Sequence, residues 1–504
     1  MAVRGRSARV GVSLVVCLAV AAFAAPAANA HPESCLTGAA AWAAMTPWSE
    51  ASFVGGDAGC APAGVAARYD TSGAQLEPGE TDGRNLRLVT NRPQQAPLVN
   101  INSDLAFWGK YAFQGNYNGF VINDISNPDA PQIVSQVLCP GSQNDISVWK
   151  NLLFLSTDSS RSDDSCASTT KPVSDPTAWE GIKVFDITDK TNPRYIKSVE
   201  TNCGSHTHTL VPDGDNVFIY VSSYILGNAT GPDCQAPHDK ISIIKVPVAN
   251  PTAAAVIAAP VLFPDGGHPG DATTTQTTGC HDITVYRAKD LAAGACMGDG
   301  LIMDIEDPAA PRVLARITDP NFAFWHSATI SHDGKQVLFT DEKGGGVTPE
   351  CNPTVGPKRG ADAIYSIRDR RRPSFLSYFK MPRTQSDTEN CVAHNGNLLP
   401  IPGLDILVQA WYQGGISVID WTNGRRPHEI AWWDRGPYLD AGGNPSAAAG
   451  EWSSYWYNGR IYSNEIARGF DVHRLTGLPS LLKLVTQKLP YANAQTQEPP
   501  RLWW

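Results

Sequence analysis

Short apolar runs, each introduced by a polar residue, recur along the whole chain. The clearest is CHDITVY at residues 280–286, where His281 precedes a β-branched run. Six further runs begin at Ser103 (SDLAFW), Asn144 (NDISVW), His206 (HTHTLV), His326 (HSATIS), His394 (HNGNLL) and Glu451 (EWSSYW). Short β-branched and aromatic runs of this kind are typical of buried or half-buried strands. Seven copies therefore predict a repeat protein built from β-strands.

A second marker follows each of these runs. It is an apolar strand that usually closes on Asp and leads into a turn with proline, as in FVINDISNP from Phe120. The other copies begin at Ile182, Ile241, Gly300, Ala363, Ile416 and Gly469, roughly 53–62 residues apart. Asp caps such a turn and proline fixes its φ angle. This repeat length fits a four-strand propeller unit with insertions, whereas two all-β sandwiches would not repeat seven times at even spacing.

The Asp-closing strands resemble those of the LVIVD-repeat family. The resemblance covers about residues 96–490, although Lys245, Ser366 and His473 replace the closing Asp in three copies. It implies an all-β fold, a seven-bladed β-propeller, and points to no particular activity. Before the propeller we expect a small disulfide-tied N-terminal segment and lead-in at residues 31–95, and after it a carboxy-terminal stretch at residues 491–504. Either residues 480–487 or the LRLVT stretch at residues 86–90 could complete the last blade.

The beginning of the chain predicts export. Arg4, Arg6 and Arg9 precede an apolar run at residues 10–25, and Ala-Asn-Ala at residues 28–30 makes a small-x-small cleavage site. These features are typical of a secretory signal peptide, so we expect a secreted, extracellular protein that begins near His31. The chain shows no other apolar stretch long enough for a membrane span. The net charge of −9 and the lack of a long basic run argue against nucleic-acid binding. We expect a monomer that binds a small molecule or a cell-surface partner.

Ten cysteines remain once the signal peptide is removed, and an even number in an exported chain predicts disulfides. Sequence order suggests the pairs Cys35–Cys60, Cys139–Cys166, Cys203–Cys234, Cys280–Cys296 and Cys351–Cys391. Free cysteines acting as metal ligands are the alternative, which the absence of a C-x-x-C pair disfavours.

The first residue of each repeat is the main functional candidate. In a propeller the first strand of every blade lines the central channel, so these residues are expected to form a ring around the axis. The ring comprises Ser103, Asn144, His206, His281, His326, His394 and Glu451. Four consecutive histidines with a glutamate beside them predict a metal site, for which imidazole favours Cu or Zn over Ca or Mg. A solvated polar ring and a non-metal acid/base or ligand site remain alternatives.

Several other residues belong to this prediction. His208 is expected to face the channel one layer deeper than His206, either as a fifth ligand or as a buried, hydrogen-bonded histidine. Thr207, Asp282, Ser327 and Asn395 follow ring histidines and should point between blades, because strand neighbours face opposite ways. Loop residues expected near the site are Asn116, Tyr117, Asp158, Tyr224, Glu342, Gln413 and Glu465. Of these, Glu342 and Glu465 are the candidates for a catalytic general base.

Aromatic residues near the ring could line a funnel for an organic substrate or pack between blades; they are Trp325, Trp411, Tyr412, Tyr455 and Trp456. Two functions are consistent with all these features. One is a metal-dependent oxidase or hydrolase that acts on a small molecule. The other is a non-catalytic extracellular scaffold that binds a cell-wall polymer or a protein partner.

Overall fold

A computed structural model describes residues 75–222, 231–476 and 486–500 of the chain. The described residues form thirty β-strands and two short 3-10 turns, Pro251–Ala253 and Arg287–Lys289. Among them, no helix has the length and apolar character required to cross a membrane.

Most strands fall into seven antiparallel units of four, here called units 1 to 7. Two strands precede them, β1 (Thr81–Arg84) and β2 (Leu86–Arg92). Unit 1 comprises β3 (Asn102–Trp108), β4 (Tyr111–Asn116), β5 (Gly119–Asp124) and β6 (Gln132–Leu138). Unit 2 comprises β7 (Ile146–Trp149), β8 (Leu152–Arg161), β9 (Trp179–Asp186) and β10 (Arg194–Glu200). Unit 3 comprises β11 (Thr207–Asp213), β12 (Asn216–Ser222), β13 (Ser242–Pro247) and β14 (Ala255–Ala258).

The remaining units repeat this order. Unit 4 comprises β15 (Asp282–Tyr286), β16 (Leu291–Cys296), β17 (Asp299–Asp304) and β18 (Arg312–Ile317). Unit 5 comprises β19 (Trp325–Ile330), β20 (Gln336–Asp341), β21 (Asp362–Ser366) and β22 (Ser374–Phe379). Unit 6 comprises β23 (Asn395–Leu398), β24 (Ile406–Ala410), β25 (Ile416–Asp420) and β26 (His428–Arg435). Unit 7 comprises β27 (Glu451–Tyr457), β28 (Arg460–Glu465), β29 (Gly469–Leu475) and, from the other end of the chain, β2. The last described strand is β30 (Tyr491–Asn493).

The first strands of the units form a closed cycle. β3 contacts β7, which contacts β11, and contacts continue through β15, β19, β23 and β27 back to β3. The first strands are therefore innermost, and the successive strands of each unit lie further from the axis. This is the arrangement of a β-propeller, as the repeats predict, and it brings the first residue of every unit to the centre.

Apolar side chains fill the space between neighbouring units. Between units 4 and 5, Trp325 packs edge-on against Phe339, with ring centroids 5.0 Å apart, in a cluster that also contains Tyr286 and Ile302. Both faces of each sheet are covered by neighbours, which explains why the middle strands are apolar at almost every position. Polar residues therefore stand out where the first strands begin.

Four disulfides brace the loops of this fold. They join Cys139 to Cys166, Cys203 to Cys234, Cys280 to Cys296 and Cys351 to Cys391, the pairs that sequence order predicts. The fifth predicted pair, Cys35–Cys60, lies outside the described residues, as does the predicted signal peptide. The four bridges fit an extracellular protein.

The ring is closed by the amino-terminal strand β2. Its residues pair antiparallel with β29, from Leu86 opposite Leu475 to Arg92 opposite Phe470. Of the two predicted closures, the structure thus uses the stretch at residues 86–90, while most of the alternative at residues 480–487 lies outside the described residues. β1 similarly extends unit 6 by pairing with β26.

Leu86 makes this closure testable, because its side chain is only 3% exposed and packs in the apolar cluster between units 6 and 7. We expect Leu86→Ala to lower the free energy of unfolding by about 2–5 kcal/mol, the usual cost of emptying a buried leucine site. The matched control is Leu138→Ala, on an outer strand where the side chain is 53% exposed. Denaturant unfolding should show little change for the control, and equal losses in both variants would contradict a packed closing strand.

Candidate metal centre

Four neighbouring units bring four histidines together where their first strands begin. His206, His281 and His394 directly precede β11, β15 and β23, and His326 is the second residue of β19. The centroids of consecutive imidazoles lie 4.7, 4.0 and 4.2 Å apart around this arc. All four side chains are buried. The closed cycle of first strands therefore produces a contiguous histidine cluster at the channel.

His206 and His281 point their outer nitrogens at each other. The two Nε2 atoms are 3.0 Å apart, while each Nδ1 faces a carboxylate: Asp158 Oδ2 at 2.8 Å from His206 and Asp282 Oδ1 at 3.2 Å from His281. A carboxylate accepts the Nδ1 proton and thereby leaves a lone pair on Nε2 of a neutral ring. Two such lone pairs at this distance repel one another unless a proton or another cation lies between them.

His326 and His394 flank the carboxylate of Glu342. Each Nε2 lies 3.7 Å from one of its oxygens, and the Tyr412 hydroxyl donates to Oε1 over 2.5 Å. The His326 Nε2 atom is buried and has no hydrogen-bond partner among the described residues. Ligand atoms of His326, Glu342 and His394 all lie within 4.8 Å of one another, as do those of His281, Asp282 and His326. His326 belongs to both triads, so it stands at the middle of the cluster.

Burial keeps the imidazoles of His326 and His394 neutral. It lowers the pKa of His326 well below the ordinary value, helped by repulsion from His281 and His394. Burial likewise lowers the pKa of His394 to about 3. For Glu342 burial raises the pKa to about 7, although the attraction of His281 and the Tyr412 hydrogen bond oppose the rise. Neutral imidazole is the form that coordinates a metal ion.

The ring positions of units 1 and 2 do not join the cluster. The Ser103 hydroxyl donates to the Asn144 carbonyl over 3.5 Å. The Asn144 amide donates to the carbonyl oxygens of Asn116 and Cys139, at 2.8 and 3.1 Å. These two side chains connect neighbouring strands and behave as the polar lining that the sequence offers as an alternative.

Glu451 also differs from the expected ligand set. Its carboxylate accepts from the Ser463 hydroxyl and lies 3.5 Å from Arg435, within a buried charged cluster that includes Asp471. The reason is the register of β27. Glu451 pairs with Glu465 as Trp325 pairs with Asp341, so the residue equivalent to His326 is Trp452, and Glu451 stands one residue before the ring position. The carboxylate beside the histidines is that of Glu342, at the end of the second strand of unit 5.

His208 is held by partners of its own. Its Nε2 lies 2.6 Å from the Ser147 hydroxyl, and its Nδ1 lies 2.8 Å from the Ser156 hydroxyl and 3.1 Å from Asp145. The side chain is fully buried. These contacts favour the buried, hydrogen-bonded role over that of a fifth ligand.

The loop candidates divide into two sets. Asp158 and Glu342 lie in the cluster. Burial raises the pKa of the nearby Tyr117 phenol, and the charges of both carboxylates add to the rise. Glu465 instead pairs with Arg468 and accepts from the Gly450 amide, so it does not face the histidines. The Asn116 and Gln413 amides bind loop backbone and neighbouring amides, and Tyr224 lies outside the described residues.

Most of the candidate funnel aromatics pack in the apolar clusters between units, namely Trp325, Trp411, Tyr455 and Trp456. Tyr412 packs in a smaller apolar cluster with Val392 and Ile466 and also lies beside the site, with its ring centroid 4.6 Å from that of His394. The residues that sequence reasoning missed are Phe324, whose centroid is 5.6 Å from His281, and Trp452, at 5.6 Å from His394. Both are only partly buried, and both are close to a ring residue in sequence, which was the available signal: Trp452 follows Glu451 directly, and Phe324 lies two residues before His326.

Asp282 was expected to point between the blades, and it instead contacts the ring of the preceding histidine through its Oδ1 atom. Its side chain is 1% exposed. Because a carboxylate behind an imidazole fixes the ring orientation, Asp282 belongs to the site as a supporting residue.

Comparison with known proteins gives one family match, to part of the chain. Residues 102–139 match the family model of the LVIVD repeat, which confirms the predicted resemblance for the first repeat. A comparison with curated proteins finds no match. Among solved structures, hydrazine synthase of Kuenenia stuttgartiensis shares 11% identity at a TM-score of 0.47, covering 73% of this chain and 93% of that one. The periplasmic gluconolactonase of Pseudomonas aeruginosa shares 11% identity at a TM-score of 0.46, covering 74% and 99%. Likenesses at this level carry no argument about the fold or the activity of this chain.

The different surroundings of His206 and His208 generate a prediction. His208→Ala leaves two hydroxyls and a buried carboxylate without their partner, so we expect it to lower the free energy of unfolding by about 2–4 kcal/mol. It should leave metal content unchanged. His206→Ala should do the reverse and reduce metal binding with a smaller loss of stability. Urea unfolding and metal analysis of both variants test this, and loss of metal in His208→Ala alone would contradict the assignment.

Proposed function

We propose that the protein is an exported β-propeller that binds a transition-metal ion in its histidine cluster and uses it on a small molecule. His206, His281, His326 and His394 would supply nitrogen ligands, and Glu342 an oxygen ligand. The observation that carries the proposal is the facing pair of Nε2 atoms, 3.0 Å apart, with a carboxylate behind each ring. An imidazole held this way by a carboxylate is the usual arrangement around a protein-bound metal.

The second support is the buried Nε2 of His326, which has no hydrogen-bond partner among the described residues. Burying a polar nitrogen without a partner costs about 1–3 kcal/mol, and a bound ion would remove that cost. Nitrogen ligands about 2 Å from one ion are separated from each other by roughly 3–4 Å, close to the separations seen here. A predominance of imidazole favours Cu or Zn over Ca or Mg.

The cluster has the composition of a catalytic site rather than a purely structural one. Its donors are four histidines and one carboxylate, and a neighbouring tyrosine also contacts that carboxylate. Because the carboxylate is shared with the tyrosine, the protein ligands need not surround the ion completely, and a coordination position can stay open for a substrate. Such an ion supplies Lewis acidity or, in the case of copper, redox chemistry. Oxidation or hydrolysis of a small molecule are the reaction classes consistent with this set, and Glu342 is the nearest candidate for moving a proton.

Half-buried aromatic rings lie at the approach to the cluster. Tyr117, Phe324 and Trp452 are partly exposed, and Trp452 contacts both Tyr117 and Tyr412, with ring centroids 6.3 Å apart in each case. Aromatic walls above a few polar groups are typical of sites for small organic ligands. They favour a small organic molecule over a long anionic polymer.

Metal content tests the proposal directly. Protein made without a His tag, stripped with a chelator and dialysed against Cu²⁺ or Zn²⁺, should retain about one ion per chain. His281→Ala combined with His326→Ala should retain almost none. His428→Asn, which changes a histidine on the outer strand β26, is the matched control and should bind as the wild type does. Metal analysis after gel filtration gives the result.

Retention of less than about 0.2 ions per chain by the wild type, unchanged in the double variant, would overturn the metal site. The binding-scaffold function would then be favoured. If the ion is retained, the identity of the metal that accompanies the unstripped protein separates the two reaction classes, because zinc carries out hydrolysis without redox chemistry.

Export is the other part of the proposal, supported by four disulfides and the charged-apolar-small pattern of residues 1–30. We expect the mature protein to begin at His31 when the full gene product is expressed in a secreting host. Amino-terminal sequencing of protein from the culture medium checks this. Retention of the chain inside the cell with residues 1–30 intact would contradict it.

A further inference from the structure

The carboxy-terminal segment at residues 489–498, here called the tail, crosses the channel and contacts the inner strands. β30 within it pairs with β3 of unit 1, from Ala106 opposite Asn493 to Trp108 opposite Tyr491. Further hydrogen bonds reach units 2 to 7, through Val148, Leu210, Val285, Ile330, Asn395 and Asn458. The tail thus touches all seven units at once.

Side-chain amides in the tail replace the partner strand that the inner strands lack. Asn493 accepts from the Val148 amide at 2.7 Å and donates to its carbonyl at 2.9 Å. Gln497 does the same with Ile330, at 2.7 and 2.8 Å. Innermost strands expose main-chain groups toward the channel, and buried main-chain groups need partners. These contacts explain why the tail is rich in asparagine and glutamine.

Gln495 makes a different contact, with the acidic residue behind the metal site. Its Nε2 donates to Asp282 Oδ2 at 3.0 Å and to Asn395 Oδ1 at 3.4 Å, and its Oε1 accepts from the Thr284 hydroxyl. The other oxygen of Asp282 faces His281 Nδ1 at 3.2 Å. Gln495, Asp282 and His281 therefore form one continuous chain of polar contacts from the tail to the cluster.

From this chain of contacts we infer that Gln495 is a positioning residue for the metal site. The inference rests on the proposed function. The amide of Gln495 holds the carboxylate of Asp282 by one oxygen, so that the other stays aimed at Nδ1 of His281. The ring then keeps its proton on Nδ1 and directs the Nε2 lone pair at the ion. The tail thereby links closure of the channel to the orientation of a ligand.

The contacts on either side explain why Gln495 can do this and Gln497 cannot. Gln495 is itself fixed by Thr284 and Asn395, in the first strands of units 4 and 6, and its backbone is held where its carbonyl accepts from Val285 at 2.7 Å. Gln497 binds only main chain of unit 5 through its side chain. Both residues are glutamines of the same segment, and the difference between them is that Gln495 contacts Asp282 whereas Gln497 contacts Ile330.

The test compares Gln495→Met with Gln497→Met in the intact protein. Methionine keeps the length of glutamine and removes the amide. Nitrogen-15 NMR of the metal-free protein, with His281 assigned through His281→Asn, reports which ring nitrogen carries the proton. We expect Nδ1 to carry it in the wild type and in Gln497→Met, and a mixture of the two tautomers in Gln495→Met. His206, which faces Asp158 instead, should be unchanged in every variant.

Zn²⁺ affinity from competition with a chelator is the second readout. It should fall about 10- to 100-fold in Gln495→Met, the usual loss when a residue behind a ligand is removed, and stay at the wild-type value in Gln497→Met. A wild-type tautomer for His281 in Gln495→Met would overturn the inference, whatever the metal result. A shifted tautomer in a protein that binds no ion would instead uphold Gln495 as the positioning residue and reject the proposed metal function. If Gln495→Met does not fold, Gln495→Asn, whose shorter amide cannot reach Asp282, takes its place.

Discussion

The closed cycle of first strands is the constraint on which the rest of the molecule depends. Each unit begins at the axis, so one residue from every repeat is brought to the same place, whatever its neighbours are. The centroids of consecutive imidazoles lie within 4.7 Å of each other, and four polar rings that were free to move would separate and bind water instead. Packing between the sheets, as around Trp325, removes that freedom. The cluster is therefore an outcome of ring closure, and β2 supports it from outside by completing unit 7.

The repeat pattern was enough to predict the fold and the histidine positions, because both follow from periodicity. It was not enough to identify the carboxylates. Glu451 is one residue out of register, because it pairs with Glu465 as Trp325 pairs with Asp341, and it lies beside Arg435. The extra residue that both first strands carry leaves no mark in an alternating sequence. Glu342 enters from the end of a second strand, and its distance from the histidines depends on a loop path. Asp282 was assigned to the wrong side because a short side chain next to a ring can reach back to it.

His206 and His208 show how much the immediate partners decide. His206 directly precedes β11 and His208 is its second residue, so the two-residue spacing treats them alike. One faces a carboxylate and a second imidazole, and the other faces two hydroxyls and a carboxylate that satisfy both of its nitrogens. An imidazole with both nitrogens satisfied by fixed protein groups has no lone pair to offer. The difference between a ligand and a structural histidine is therefore set by the neighbouring strand, in this case by Ser147 and Ser156 of unit 2.

The tail makes the two ends of the channel unequal. On one side its amides occupy the main-chain groups of the inner strands, and Gln495 contacts Asp282 from that side. On the other side the partly exposed rings of Phe324 and Trp452 stand beside the histidines. A ligand that reaches the cluster from the aromatic side meets the Nε2 atoms, while the Nδ1 atoms of His206 and His281 remain committed to carboxylates. A propeller without such a tail would leave Asp282 facing an open channel, where water could compete for its oxygens and loosen its hold on the ring. Closing one end therefore confines access to the histidines to the other, where the proposed metal chemistry would take place.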